Sequence, residues 1–177
     1  MKESILLILG FVLVNNYALT AYLGLTPLIG FSARREKILV LGLSVTGVTA
    51  VLAVLLWLLR AAIPAYLRLL CAVAITLVLV WLLQLALGKK LGLYFPVIAL
   101  NSVVLGLSLN TLAAESLLTV VLSALGAGLG FLFALFLMNG VQTRLESEHL
   151  PRAWRGLPIQ FLAAGILALA LTAFNFQ

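Results

Sequence analysis

Residues 69–88 read LLCAVAITLVLVWLLQLALG, twenty consecutive positions without a charged side chain. At 1.5 Å per residue such a helix is about 30 Å long, which matches the hydrocarbon core of a bilayer. Working outward, the charges leave five more uncharged runs, residues 4–33, 38–59, 91–114, 116–143 and 156–177, of 30, 22, 24, 28 and 22 residues. In lipid every backbone N–H and C=O needs a partner within the protein, and at this segment length only a helix supplies it alone. The sequence therefore predicts an all-α polytopic membrane protein with six transmembrane helices, folded as a single membrane domain over 1–177. Composition agrees: 64% of the 177 residues are hydrophobic, 9% are charged, and the mean hydropathy is +1.26. A water-soluble domain carries about 25% charged residues. This excludes an ordinary globular enzyme, a disordered tail, a disulfide scaffold and a nucleic-acid module. One cysteine, Cys71, leaves no internal disulfide and no multi-cysteine metal site made by this chain alone, and one histidine, His149, cannot build a cluster.

The net charge of +6 belongs to loops rather than to a nucleic-acid surface. With the N-terminus outside, the cytoplasmic loops carry Arg34, Arg35, Lys37, Lys89, Lys90, Arg144, Arg152 and Arg155. The outer side keeps Lys2, Arg60 and Arg68. Positive residues collect on the cytoplasmic side of membrane proteins, so both termini are expected outside the cytoplasm, in the inner (plasma) membrane of a bacterial or archaeal cell. The first run lacks an Ala-x-Ala exit and continues past the usual apolar core of a signal peptide, so it reads as a retained span.

Two runs are interrupted. The first holds Asn15-Asn16, Thr20 and Gly24-Leu25-Thr26-Pro27; the fourth holds Tyr94-Phe95-Pro96, Asn101-Ser102 and Gly106. Pro27 and Pro96 each remove a backbone hydrogen bond inside a segment that must cross. Two adjacent asparagines cannot both face one partner helix, which favours a broken helix over a continuous one. Pro158 differs, because near a helix start its missing N–H costs nothing. The chain also divides into halves of three crossings, roughly 1–89 and 90–177, each opening on an Asn-bearing helix with a Leu-Gly-Leu step. An odd number of crossings per half turns the second upside down, giving two inverted three-helix repeats with broken first and fourth helices, an arrangement that places sites at the membrane midplane.

Asn15, Asn16, Thr26, Asn101 and Ser102 are the candidate lining of an ion or electron path. The alternative role for the asparagines is hydrogen-bonding glue between helices. Gly126, Gly128 and Gly130 point to close helix packing rather than to a nucleotide loop, since Phe131 follows and no strand precedes. Cys71 reads as a small hydrophobe, and Gln84 as glue with a lesser chance of facing an ion path. Glu115 falls at an outer loop edge, while Glu36, Glu146 and Glu148 fall in cytoplasmic loops. No carboxylate or histidine is left inside a span, which argues against a stand-alone proton pump. Segment 142–156 is either a surface-lying loop with Trp154 at headgroup level or a docking face for a cytoplasmic partner. No hydrolytic triad or phosphate loop can be assembled.

Leu13-Val14-Asn15-Asn16 with Leu23-Gly24-Leu25-Thr26-Pro27 and Gly30, then Pro96 with Asn101-Ser102-Val103-Val104-Leu105-Gly106, then Arg155-Gly156-Leu157-Pro158-Ile159 with Ala164-Gly165, resemble the RnfA/RnfE–NqrD/NqrE family of membrane subunits, RnfA-type, over essentially the whole chain. The resemblance implies six helices in inverted repeats, pairing with a homologous subunit of opposite orientation and assembly with other Rnf/NQR-like subunits. It also implies a shared 2Fe–2S cluster near the membrane centre, held by two cysteines from each partner, and a complex that couples electron transfer to Na⁺ or H⁺ movement. The family's two cysteines fall at Thr26 and Ser102 here, and hydroxyl oxygen is a poor ligand for cluster iron. The expectation is an integral, non-catalytic membrane subunit of an Rnf/Na⁺-NQR-like ion-translocating electron-transport complex that binds no cofactor by itself. Flavins would sit on partner subunits. The alternative is a small carrier or channel acting as an oligomer, and an antiparallel homodimer would replace the family's pair by two copies. Lipid bilayer and membrane subunits are the expected partners, and nucleic acid is not one.

Overall fold

The computed structural model describes residues 2–30, 35–87, 95–145 and 151–173. Its helices are α1 (Lys2–Leu9), α2 (Leu25–Gly30), α3 (Arg35–Leu59), α4 (Arg68–Leu87), α5 (Phe95–Ala99), α6 (Ser102–Asn110), α7 (Leu117–Leu145) and α8 (Leu157–Thr172). A π-turn over Gly10–Val14 extends α1, and single 3-10 turns stand at Ala65–Leu67, Thr111–Ala113 and Arg152–Trp154. No strand occurs among the described residues. Arg34, Lys89, Lys90, Tyr94, Glu146, Glu148 and His149, several of them assigned to loops above, lie outside the described residues.

Every uncharged run contains helix. Four segments are long and apolar enough to cross a bilayer: Ile38–Leu59, Ala65–Ala86, Pro96–Ala113 and Leu117–Leu145. The third of these is the broken fourth run, α5 and α6. The first run is also broken, into α1 with its π-turn and the short α2, and the last forms the apolar sixteen-residue α8, with Pro158 at its start as expected. The outer faces carry bare leucines such as Leu70, Leu85 and Leu169, which suit lipid and not water. The protein is an all-helical, polytopic membrane protein.

At the centre stands the pair α3 and α7, with α1 and its π-turn against the other side of α7. The glycines of α7 make this possible. Residues four apart share a helix face and residues two apart lie on opposite faces. A Cβ on Gly126 would come within 3.0 Å of Phe11 Cβ, and one on Gly130 within 2.8 Å of the Phe11 carbonyl oxygen. A Cβ on Gly128, on the far side, would meet Thr46 of α3 at 2.6 Å. These glycines serve close packing, with two faces used instead of one. α4 and α8 are peripheral; only 17% of the α4 span is buried, against 56% of α7.

Hydroxyls in the core are mostly satisfied locally. Thr46, Thr49, Thr76 and Ser108 each donate, at 2.7 Å, to the carbonyl four residues back. Gln84 is half-buried and makes no hydrogen bond to a described residue. At one end of the bundle Trp57 Nε1 and Arg60 Nη1 both donate to the Ala114 carbonyl at 2.9 Å, and the Arg60 guanidinium lies 4.5 Å from the Trp57 ring centre. Glu115, beside this pin, is exposed, as its place at a loop edge requires.

Candidate functional site: the meeting of two broken helices

The first break begins where the Asn15 N–H reaches back five residues to the Gly10 carbonyl at 2.7 Å, closing the π-turn. Asn16 then fixes the exit of the chain. Its Nδ2 donates to Val12 O at 2.8 Å and to Gly130 O at 3.0 Å, and its Oδ1 accepts from the N–H groups of Ala18 at 3.0 Å and Leu19 at 3.3 Å. All the hydrogen-bonding capacity of its side chain is used and the residue is fully buried. The segment continues through two left-handed positions, Tyr22 at φ 54 and Gly24 at φ 75, before α2 starts. A tyrosine there is strained, which is the mark of a conformation imposed by its surroundings.

The second break is shorter. α5 ends at Ala99, and Asn101 takes an extended conformation, φ −75 and ψ 116, as the N-cap of α6. Its Oδ1 accepts from the Val103 N–H at 3.0 Å. Asn101 is 1% exposed, yet its Nδ2 has no hydrogen-bond partner among the described residues.

The two breaks touch. The Gly24 N–H donates to Ser102 Oγ at 2.8 Å. A Cβ on Gly24 would lie 3.0 Å from Asn101 Oδ1, Val103 Cγ2 and Phe131 Cε2 at once, and one on Gly106 would lie 2.9 Å from Leu23 Cδ1. Gly106 thus admits Leu23 of the first break, and Gly24 admits Asn101 and Val103 of the second. Phe131 is the middle residue of the 29-residue α7, so the junction sits halfway along the longest helix, at mid-depth. A cavity of about 290 Å³ opens there, lined by Gly24, Leu25, Thr26, Pro27, Pro96, Val97, Leu100, Asn101 and Ser102. None of these side chains is charged.

Of the five residues named from sequence, Thr26, Asn101 and Ser102 line this cavity. Asn16 does not; it is bonded to Gly130 as a structural lock. Asn15 is exposed and also lies apart from the cavity. Thr26, Leu100 and Ser102 are exposed in the single chain, so one side of the junction faces outward at mid-depth. Cys71, on α4, is half-buried and does not line the cavity. Sequence reasoning missed the weight of Gly24, because Leu-Gly-Leu recurs elsewhere in the chain. It also placed Gln142 in a polar loop segment; Gln142 is buried in α7 and donates to the Ile29 carbonyl at 3.1 Å, satisfying the end of α2.

A helical, polytopic chain whose two interrupted helices meet at mid-depth defines a class, that of membrane proteins with a midplane junction built from half-helices. Within that class the chain belongs to the family described as Rnf-Nqr subunit, membrane protein, which it matches over residues 4–177. It is 37% identical over 187 aligned positions to the A-type subunit of the ion-translocating oxidoreductase complex of Syntrophotalea carbinolica, covering 98% of this chain and 97% of that one. Its identity to the subunit of the same name from Rhodobacter capsulatus is 35%, with the same coverage. It is 33% identical to the corresponding A-type subunit of the Na(+)-translocating ferredoxin:NAD(+) oxidoreductase complex of Acetobacterium woodii, covering 97% and 96%.

Proposed function

We propose that this chain is the A-type membrane subunit of an Rnf-like ion-translocating oxidoreductase complex, and that it takes its place there without an iron–sulfur cluster of its own. The single observation that carries the first part is the end-to-end match to A-type relatives at 33–37% identity. In this reading the chain crosses the plasma membrane six times as two inverted repeats, about 1–89 and 90–177, with both termini outside. Its partner is a homologous subunit of opposite orientation. The outward-facing side of the junction supports that pairing, since hydroxyls and interrupted backbone are not left against lipid tails.

The second part rests on donor chemistry. Cluster iron is held by thiolates. The positions that would hold it carry the hydroxyls of Thr26 and Ser102, and the Ser102 oxygen already accepts the Gly24 N–H. The residues present do not fit a 2Fe–2S cluster, and no electron step is assigned to this chain. Its work is to pair with its homologue and to shape the mid-depth junction with Thr26, Asn101 and Ser102, while Asn15 and Asn16 hold the first break; flavins belong to partner subunits.

The test is purification through a tag on this chain from its native membrane. Flavin-carrying subunits and a homologous membrane partner are expected in stoichiometric amounts, with no iron or acid-labile sulfide on the chain once it is separated from them. A partner-free species in the native membrane overturns the first part, and iron on the isolated chain overturns the second.

A further inference from the structure

We propose that residues 20–24 form a strap that lifts off the second break, and that the hydrogen bond from the Gly24 N–H to Ser102 Oγ is its latch. This motion is a property of the chain itself, whichever subunit covers the outward face of the junction.

Two costs meet where the breaks touch, one on each side. On the first break Tyr22 stands at φ 54, a conformation that a bulky side chain keeps only where its surroundings impose it. On the second break Asn101 Nδ2 has no hydrogen-bond partner among the described residues, and leaving a buried donor unpaired is costly. That nitrogen does not open onto the cavity, so nothing bound in the cavity satisfies it as the chain now stands. Turning the amide over is no remedy, because Oδ1 is held by the Val103 N–H at 3.0 Å. Only a rearrangement of the chain relieves either cost. Strain and an orphaned donor on one contact are the mark of an element held in one of two arrangements.

The surroundings decide which side moves. Asn101, at φ −75 and ψ 116, is unstrained and caps α6, and Ile98, Ala99, Val103 and Val104 around it are buried. The first break is pinned only at its ends. Ala18 and Leu19 are buried with their N–H groups on Asn16 Oδ1, and Pro27 and Leu28 are buried in α2. Between these pins Thr20, Ala21 and Tyr22 are exposed. Among the described residues a single hydrogen bond, from Gly24 to Ser102, joins residues 20–24 to α5 or α6. The rest of the hold is packing, with the half-buried Leu23 over Gly106. Gly24 lies against the Asn101 amide, where an added Cβ would be 3.0 Å from Oδ1. Lifting the strap therefore uncovers Asn101 towards the cavity and lets Tyr22 return to negative φ. It also frees Ser102 Oγ as an acceptor, next in sequence to the donor that lacks one. Both costs are relieved in exchange for one hydrogen bond and the Leu23 contact.

The test is amide hydrogen exchange on the detergent-purified full-length chain, resolved to single residues by mass spectrometry and corrected for intrinsic rates. The reporters are Leu23, whose N–H donates to Tyr17 O at 3.0 Å, and Gly24; the reference is Leu19, held by the Asn16 lock. Leu23 and Gly24 should exchange roughly tenfold faster than Leu19, because a strap opens locally while its pins stay closed. Ser102→Ala removes the latch and leaves the Asn101 cap, so it should speed Leu23 by roughly a further tenfold with Leu19 unchanged. Tyr22→Asn keeps a side chain but suits positive φ, so it should slow Leu23 and Gly24 severalfold, and it serves if S102A does not fold. Lost packing alone would speed exchange in both variants, so the opposite signs tell a latched strap from a loosened one. Equal rates at Leu19, Leu23 and Gly24 overturn the proposal. So does exchange at Leu23 unchanged in S102A, and so does exchange in Y22N that is unchanged or faster.

Discussion

The Gly24 amide and the Ser102 hydroxyl, 78 positions apart in the chain, are joined by a hydrogen bond of 2.8 Å at the level of the middle of α7. This bond ties the start of α2 to the start of α6. It connects the two places where helix is interrupted, and a donor freed by one break is satisfied by a side chain from the other.

Gly24 is the residue least able to change. Its φ of 75 disfavours any side chain, and a Cβ would touch three neighbours at 3.0 Å. Gly24→Ala should cost about 2–4 kcal/mol, combining the left-handed penalty with overpacking. Thermal unfolding of the purified chain, followed by tryptophan fluorescence, should show a clear fall in Tm. Gly47→Ala is the control. It sits in α3 with nothing within 4 Å of its added Cβ, so it should leave Tm unchanged or slightly raised.

The two buried asparagines should respond unequally to the same replacement. Asn16→Asp turns a group that donates to Val12 O and Gly130 O into an oxygen facing two oxygens. It should destabilise by more than Asn16→Ala, itself worth about 1–3 kcal/mol. Asn101→Asp gives up a donor that has no partner among the described residues and retains its cap, so it should be better tolerated. Chemical denaturation of the three variants side by side checks the order.

How much of this was legible in the sequence depends on the kind of interaction. The all-helical membrane class followed from run length and charge spacing, because the need for internal backbone hydrogen bonds in lipid leaves little choice. The breaks at Asn15–Asn16 and near Asn101 were also legible, since proline and paired amides are local signals. What was not legible is which asparagine is a lock and which lines a cavity. Asn16 is committed to Gly130 and Asn101 is not, and that depends on contacts between residues over a hundred positions apart. The importance of Gly24 was hidden for the same reason, as its neighbours Val103 and Phe131 come from α6 and α7. Gln142 looked like the start of a polar loop because the charged residues that follow it dominate the local pattern; α7 simply runs on to Leu145.

At the C-terminal end of α3, Trp57 and Arg60 hold the turn over residues 111–114. Trp57→Phe removes one hydrogen bond to Ala114 O, worth about 1 kcal/mol. Arg60→Ala removes the bonds to Leu112 O and Ala114 O and the contact with the indole ring. Hydrogen–deuterium exchange should therefore quicken in residues 111–116 in both variants, more in R60A, while α7 beyond its first turns remains protected.

The proposed orientation can be checked with the chain's own scarcity of thiols. Cys71 is the only cysteine, so Cys71→Ser gives a blank background in which single cysteines report their side of the membrane. Ala62 and Glu115 are both exposed, and the bond from Arg60 to Ala114 O places their segments at the same end of the bundle. Ala153 is exposed in the segment after α7, and α7 has run 29 residues from the Glu115 end before reaching it. That length, about 43 Å, carries the chain across the bilayer. Positive residues favour the cytoplasmic side, so in the proposed orientation, with three of them outside and eight inside, the first end faces outward. In intact cells or spheroplasts an impermeant maleimide should label A62C and E115C and spare A153C until the membrane is opened. Labelling in the reverse order would invert the topology, and labelling of all three from outside would show two orientations in one membrane, as an antiparallel homodimer demands.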